Sequence, residues 1–67
     1  MAKSNRNIRK AQPGDAIYVR FSTDPDATEI PARLGKILGE YIHVEFAATG
    51  MVFPLDNVRL ANGRYGE

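Results

Sequence analysis

Few side chains in this chain can do covalent or metal chemistry. His43 is the only histidine and cysteine is absent, so neither a thiolate site nor a multi-histidine metal site can be assembled within one copy. No serine or threonine stands in a recognisable nucleophile motif, and no glycine-rich phosphate loop is present. Asp24, Asp26 and Glu29 put three carboxylates into one short stretch, but their spacing departs from a calcium loop. The expectation is a solvated acidic loop, with no metal, no cofactor and no catalytic residue. Binding chemistry remains. Lys3, Arg6, Arg9 and Lys10 all precede the first acid, Asp15, and without them five basic residues face eight acids, so a whole chain of net charge +1 divides into a basic arm and a body of −3. Such an arm suits contact with phosphates. Arg20, Arg33 and Lys36 can extend it as a basic track, and Tyr18, Tyr41 and His43 can form a stacking or partner-binding patch. The competing reading is an ordinary solvated surface, in which Glu40 and Glu45 pair with those cations and the aromatics clothe their strands.

Positioning these groups falls to short strands. Residues 1–12 hold one large aliphatic, Ile8, and read as a flexible basic arm. Pro13-Gly14-Asp15 signals a turn, after which Ile17, Val19 and Phe21 alternate along a first strand. Residues 22–29 carry Pro25 and three acids and read as an exposed loop. A second strand over 30–38 shifts phase at Gly35, a bulge signal that lets Ile37 point inward like Ala32 and Leu34. Gly39-Glu40 connects it tightly to Tyr41–Phe46, where Ile42, Val44 and Phe46 alternate with Tyr41, His43 and Glu45. Residues 47–50 turn, Met51-Val52-Phe53 forms a fourth strand, Pro54–Asn57 a single helical turn, and Val58-Arg59-Leu60 a fifth strand. The expected core is Ile17, Val19, Phe21, Ala32, Leu34, Ile37, Ile42, Val44, Phe46, Val52, Leu55, Val58 and Leu60. Residues 13–61 form the body and 62–67 a flexible tail.

Five short strands in meander order with one bend predict a small, all-β, closed or nearly closed barrel. Pro13-Gly14-Asp15, Pro31-Ala32-Arg33-Leu34, His43-Val44-Glu45-Phe46 and Phe53-Pro54-Leu55-Asp56-Asn57-Val58-Arg59-Leu60 together resemble the Src-homology-3-like small barrels, the Tudor and PWWP type in particular. That resemblance covers residues 13–60 and concerns the fold. It implies a five-stranded barrel that binds peptides, modified side chains, nucleic acid or other subunits beside its long first loop. The chain lacks tryptophan and any cluster of rings at the ends of its first two strands, which departs from an aromatic cage for methylated lysine or arginine. A second likeness, through Val52-Phe53-Pro54-Leu55, is to the plasmid-encoded trimethoprim-resistant dihydrofolate reductases, tetrameric barrels with a shared central pore. The Gln-Ile-Tyr run that lines that pore is absent here.

Three functions follow as expectations. The first is a non-enzymatic module contacting nucleic acid through Lys3, Arg6, Arg9, Lys10, Arg20, Arg33 and Lys36. The second is a protein-interaction or regulatory subunit using the 22–29 loop and the Tyr18/Tyr41 face. The third is an oligomeric enzyme of the reductase kind. The short, apolar Met51–Phe53 segment is also expected to be an edge open to homo-oligomerisation. No apolar run approaches the length of a membrane span, and the N-terminus lacks the apolar stretch of a signal peptide, so a cytoplasmic, membrane-free protein is expected.

Overall fold

A computed structural model describes residues 8–46 and 48–67. Its five strands are β1 (Ala16–Val19), β2 (Ile30–Leu38), β3 (Tyr41–Phe46), β4 (Thr49–Pro54) and β5 (Val58–Leu60). They form one sheet of order β4-β3-β2-β1-β5, antiparallel throughout. The fold is all-β, and its helical content among the described residues is two 3-10 turns, Ile8–Lys10 and Leu55–Asn57.

Strand order forces curvature. β4 and β5 stand at opposite ends of the order, yet only Leu55–Asn57 separates them in the chain. A flat sheet of five strands would hold its edges about 19 Å apart at the usual interstrand spacing. Three residues in 3-10 conformation advance only about 6 Å. The sheet must therefore curl until the end of β4 meets the start of β5. Two backbone bonds fix the junction: Leu55 N–H donates to the Glu40 carbonyl at 2.9 Å, and Arg20 N–H to the Asn57 carbonyl at 3.0 Å.

Curling gives the sheet a concave face that takes the apolar residues. Directly opposed inward pairs are Ile17 with Ala32 and Leu60, Val19 with Val58, Leu34 with Val44, and Ile42 with Ile37 and Phe53. The pairing slips by one residue between Leu34 and Lys36, so Gly35 is the extra residue of a bulge. Without that insertion Ile37 would face outward; with it, Ile37 packs against the core. Gly39 opens the β2–β3 turn at φ +68, a conformation side chains rarely adopt.

Three expectations about the core are corrected. β1 ends at Val19, so Phe21 is no longer in the alternation; it is 62% exposed, its ring 5.2 Å from that of Phe53. In β4 the inward residues are Phe53 and, partly buried, Met51, and not Val52, because Phe53 stands opposite Ile42 and Met51 opposite Val44 while Val52 stands opposite His43. A period of two makes that one-position difference decisive. Ile8, read as part of the arm, is fully buried in the core, and its N–H donates to the Glu67 carbonyl at 3.0 Å. The one large aliphatic of the arm thus covers the core where the N- and C-terminal segments meet.

Ile8→Ala is expected to cost roughly 2–4 kcal/mol, a large share of the stability of about 3–10 kcal/mol typical for a domain this size. A drop of that order in the urea unfolding free energy would confirm it, and an unchanged midpoint would show that Ile8 is dispensable to the core.

Candidate nucleic-acid interface

Residues alternating with the core line the convex face in rows set by the register. One row is Leu38, Tyr41 and Pro54; the next is Lys36, His43 and Val52; a third is Ala16, Arg33, Glu45 and Gly50. Leu38, Tyr41 and Val52 are all about half exposed, and Lys36 is exposed. Tyr41 and His43 thus share a face with Lys36, as the sequence suggests. Tyr18 does not join them. It pairs with Pro31 and Arg59, and Pro31 lies seven residues from Leu38 along β2, on the order of 20 Å at strand rise. The expected single aromatic patch of Tyr18, Tyr41 and His43 is therefore two separate places.

The basic residues separate likewise. Arg9 Nη1 donates to the Gly39 carbonyl at 3.0 Å, which seats the root of the basic segment on the β2–β3 turn. Arg9 also lines a shallow hollow with Glu40, Tyr41, Pro54, Leu55 and Asp56. Lys10 is exposed beside it. Lys3 and Arg6 lie outside the described residues. Arg33 Nη1 reaches the Gly14 carbonyl at 3.3 Å, and Arg33 stands opposite Glu45.

Arg20 belongs to a third group that the sequence reading missed. Arg59 forms a two-point bond with Glu29, Nε to Oε2 and Nη2 to Oε1, both at 3.1 Å. Its Nη1 donates to the carbonyls of Leu60 and Ala61 at 3.1 and 2.9 Å. Tyr65 Oη donates to Glu29 Oε2 at 2.8 Å. Arg20 lies over the Tyr65 ring at 3.8 Å and donates to the Asp56 carbonyl at 3.0 Å, while Arg59 lies over Tyr18 at 4.6 Å. This clasp ties the 22–29 loop, β1, β5 and the C-terminal segment together. It engages Arg20 with the protein itself, and residues 62–67, read as a tail, supply Tyr65 to it. The hint in the sequence was Tyr65 itself, the one aromatic of that polar segment. Hydrogen bonds from Arg59 and then Tyr65 hold the Glu29 carboxyl below the usual carboxylate range. Burial, and then the bond to Glu29, push the Tyr65 phenol up. In the loop, Asp24 Oδ1 accepts from Asp26 N–H at 3.0 Å, so that carboxylate caps its own turn.

His43 is seated by two glycines. A Cβ on Gly35 would clash with Nδ1 and meet the His43 carbonyl at 2.9 Å; one on Gly50 would meet Nε2 at 2.8 Å. The imidazole therefore lies low across the sheet, half-buried.

Compared with protein-family models, curated proteins and solved structures, the chain matches none. Among the described residues no helix is long and apolar enough to cross a membrane.

Two outcomes test this geometry. Because the Glu29 value is lowered in the folded state, its stabilisation is present above the ordinary carboxylate value and is lost as pH falls through the folded one. Because the Tyr65 value is raised, its contribution is lost as pH rises through the folded value. Glu29→Gln should flatten the acid limb of melting temperature against pH and Tyr65→Phe the alkaline limb; unchanged limbs would show the clasp has no part in stability. Gly35→Ala should cost about 1–3 kcal/mol and be only partly rescued by His43→Ala, since the carbonyl contact persists. Gly50→Ala, which meets only a side-chain end, should cost less; urea denaturation of Gly35→Ala, Gly35→Ala/His43→Ala and Gly50→Ala decides.

Proposed function

We propose that the protein is a non-enzymatic binding module that contacts nucleic acid through its N-terminal basic segment and the convex face of β2–β4. The observation that favours this is the seat of Arg9 on the Gly39 carbonyl, beside Tyr41. It roots the segment carrying Lys3, Arg6, Arg9 and Lys10 at the end of a face that bears Tyr41, His43 and Lys36. Cations that follow a phosphate backbone, next to an exposed ring on which a base can stack, are what single-strand binding needs. Arg33 is a lateral contact, and Arg20 contributes only by holding the clasp. The curled five-stranded sheet, with β1 between β2 and β5, supports reading the fold as a Src-homology-3-like barrel, a scaffold that carries many binding functions. A cytoplasmic location goes with this reading.

A protein partner is the second reading, and the half-exposed Leu38, Tyr41 and Val52 favour it. Those side chains put apolar area on the same face, and a body of net charge −3 suits a basic partner.

The test is binding of short single- and double-stranded oligonucleotides across a salt series. The variants are Lys3→Ala/Arg6→Ala/Lys10→Ala and Tyr41→Ala; a deletion through residue 8 or beyond would also remove Ile8 from the core. With Lys3, Arg6, Lys10 and Lys36 each engaging one phosphate, the slope of log K against log salt should be about −3 for single strands. The triple variant should reduce its magnitude, and Tyr41→Ala should weaken binding at every salt concentration. If the intact chain fails to bind oligonucleotides at low salt, the nucleic-acid reading falls and the protein partner takes its place.

A further inference from the structure

β4 has one free side. Leu55 N–H donates to the Glu40 carbonyl, and the register of β3 with β4 runs without a shift from Phe46↔Thr49 to Tyr41↔Pro54. The alternation of antiparallel bonds then turns the polar groups of Thr49, Met51 and Phe53 toward β3 and those of Gly50, Val52 and Pro54 away from it. Pro54 fits, since its missing N–H falls on the free side. Among the described residues nothing hydrogen-bonds the outward N–H and C=O groups of Gly50 and Val52. β4 also lacks the usual protections of an edge: it has no charged residue and no bulge, and its proline is at its end.

We infer that β4 pairs antiparallel with β4 of a second copy, Gly50 opposite Val52 and Met51 opposite Met51, joining two sheets into one. Three features select a copy of this chain as the occupant. The donors and acceptors are self-complementary: Gly50 and Val52 of each copy exchange both of their bonds, four in all, and Pro54 stays outside the ladder. The shapes match as well. A hollow of about 410 Å³ beside the edge is lined by His43, Glu45, Ala48, Thr49 and Gly50, and in this register the half-exposed Val52 of the other copy falls next to Gly50. The His43 ring takes the place of a Gly50 side chain and, with Gly50, lines the hollow that Val52 of the other copy would meet. Charge agrees too, because the row then reads Arg33, Glu45 and Gly50 of one copy, followed by Val52, His43 and Lys36 of the other. The residues that meet across the join, Gly50 and Val52, carry no charge, so no like charges oppose the pairing.

The pairing rests on the edge and not on nucleic-acid binding, so the experiment uses the chain without ligand. Sedimentation equilibrium over a dilution series should give twice 7.4 kDa at high concentration, dissociating on dilution. Val52→Lys should stay at the single mass with its circular dichroism unchanged, because residue 52 is outside the core. Met51→Cys gives a chain whose one thiol faces its symmetry mate at about 4.5 Å between Cα atoms, and it should oxidise to a covalent dimer. Val52→Cys, whose mates are about 8 Å apart and beyond disulfide reach, should not. An intact chain that is monomeric at every concentration overturns the proposal, as does a dimer indifferent to Val52→Lys; cross-linking through residue 52 in place of 51 overturns the register.

Discussion

The structure depends on one short connection. Leu55–Asn57 joins strands at opposite ends of the sheet order, and that reach can be met only by a curled sheet. Once the sheet curls, its two faces stop being equivalent. One closes around Ile17, Val19, Leu34, Ile42, Val44, Phe53 and Val58, and the other is left for Lys36, Tyr41, His43 and Glu45. A chain of 67 residues with no disulfide has little other means of enclosing apolar area. Ile8 adds to it by bringing the N-terminal side of the chain over the core, where Ile8 N–H meets the Glu67 carbonyl.

The curl also shapes the convex face that carries the candidate site residues. A long β2 has to serve two partners, β1 through Ile30–Arg33 and β3 through Arg33–Leu38, and the bulge at Gly35 lets it bend between them. The same glycine makes room for the His43 ring. A structural requirement, the change of phase in β2, thereby leaves a flat seat on the convex face. At the other end of β1, the Arg59–Glu29–Tyr65 clasp does a different job. Arginine stacking and two-point hydrogen bonding fasten polar segments that have no apolar residues to bury.

Much of the fold was legible in the sequence because it is written in local alternation. Ile17/Val19, Ile42/Val44 and the phase shift at Gly35 are period-two signals read over a few residues, and the structure follows them. The misses share a different cause. In Met51-Val52-Phe53 three apolar residues stand in a row, so alternation cannot choose between Val52 and its two neighbours; only pairing with Ile42, His43 and Val44 does. Phe21 continues the pattern of β1 by one step, but the chain leaves the ladder after the Arg20–Asn57 bond. Ile8 is isolated in a polar stretch, and nothing local says that it returns to the core.

Candidate site residues divide on the same principle. Tyr41, His43 and Lys36 come together because adjacent strands of one hairpin bring them together, and a hairpin is a short-range object. Alternation alone puts Tyr18 on the same face, and alternation fixes a face but not a position along the strand. Arg20 shows the limit most clearly. Its place opposite the inward residues was readable, but its partners, Asp56 and Tyr65, lie 36 and 45 positions along the chain and reach it only through closure of β1 on β5. Whether a surface cation is free to meet a ligand thus depends on long-range pairing, and a basic residue outside the core is no more than a candidate until that pairing is known. Lys36, on a face built by one hairpin, is the stronger candidate contact, and Arg20 the weaker, although in sequence the two look alike.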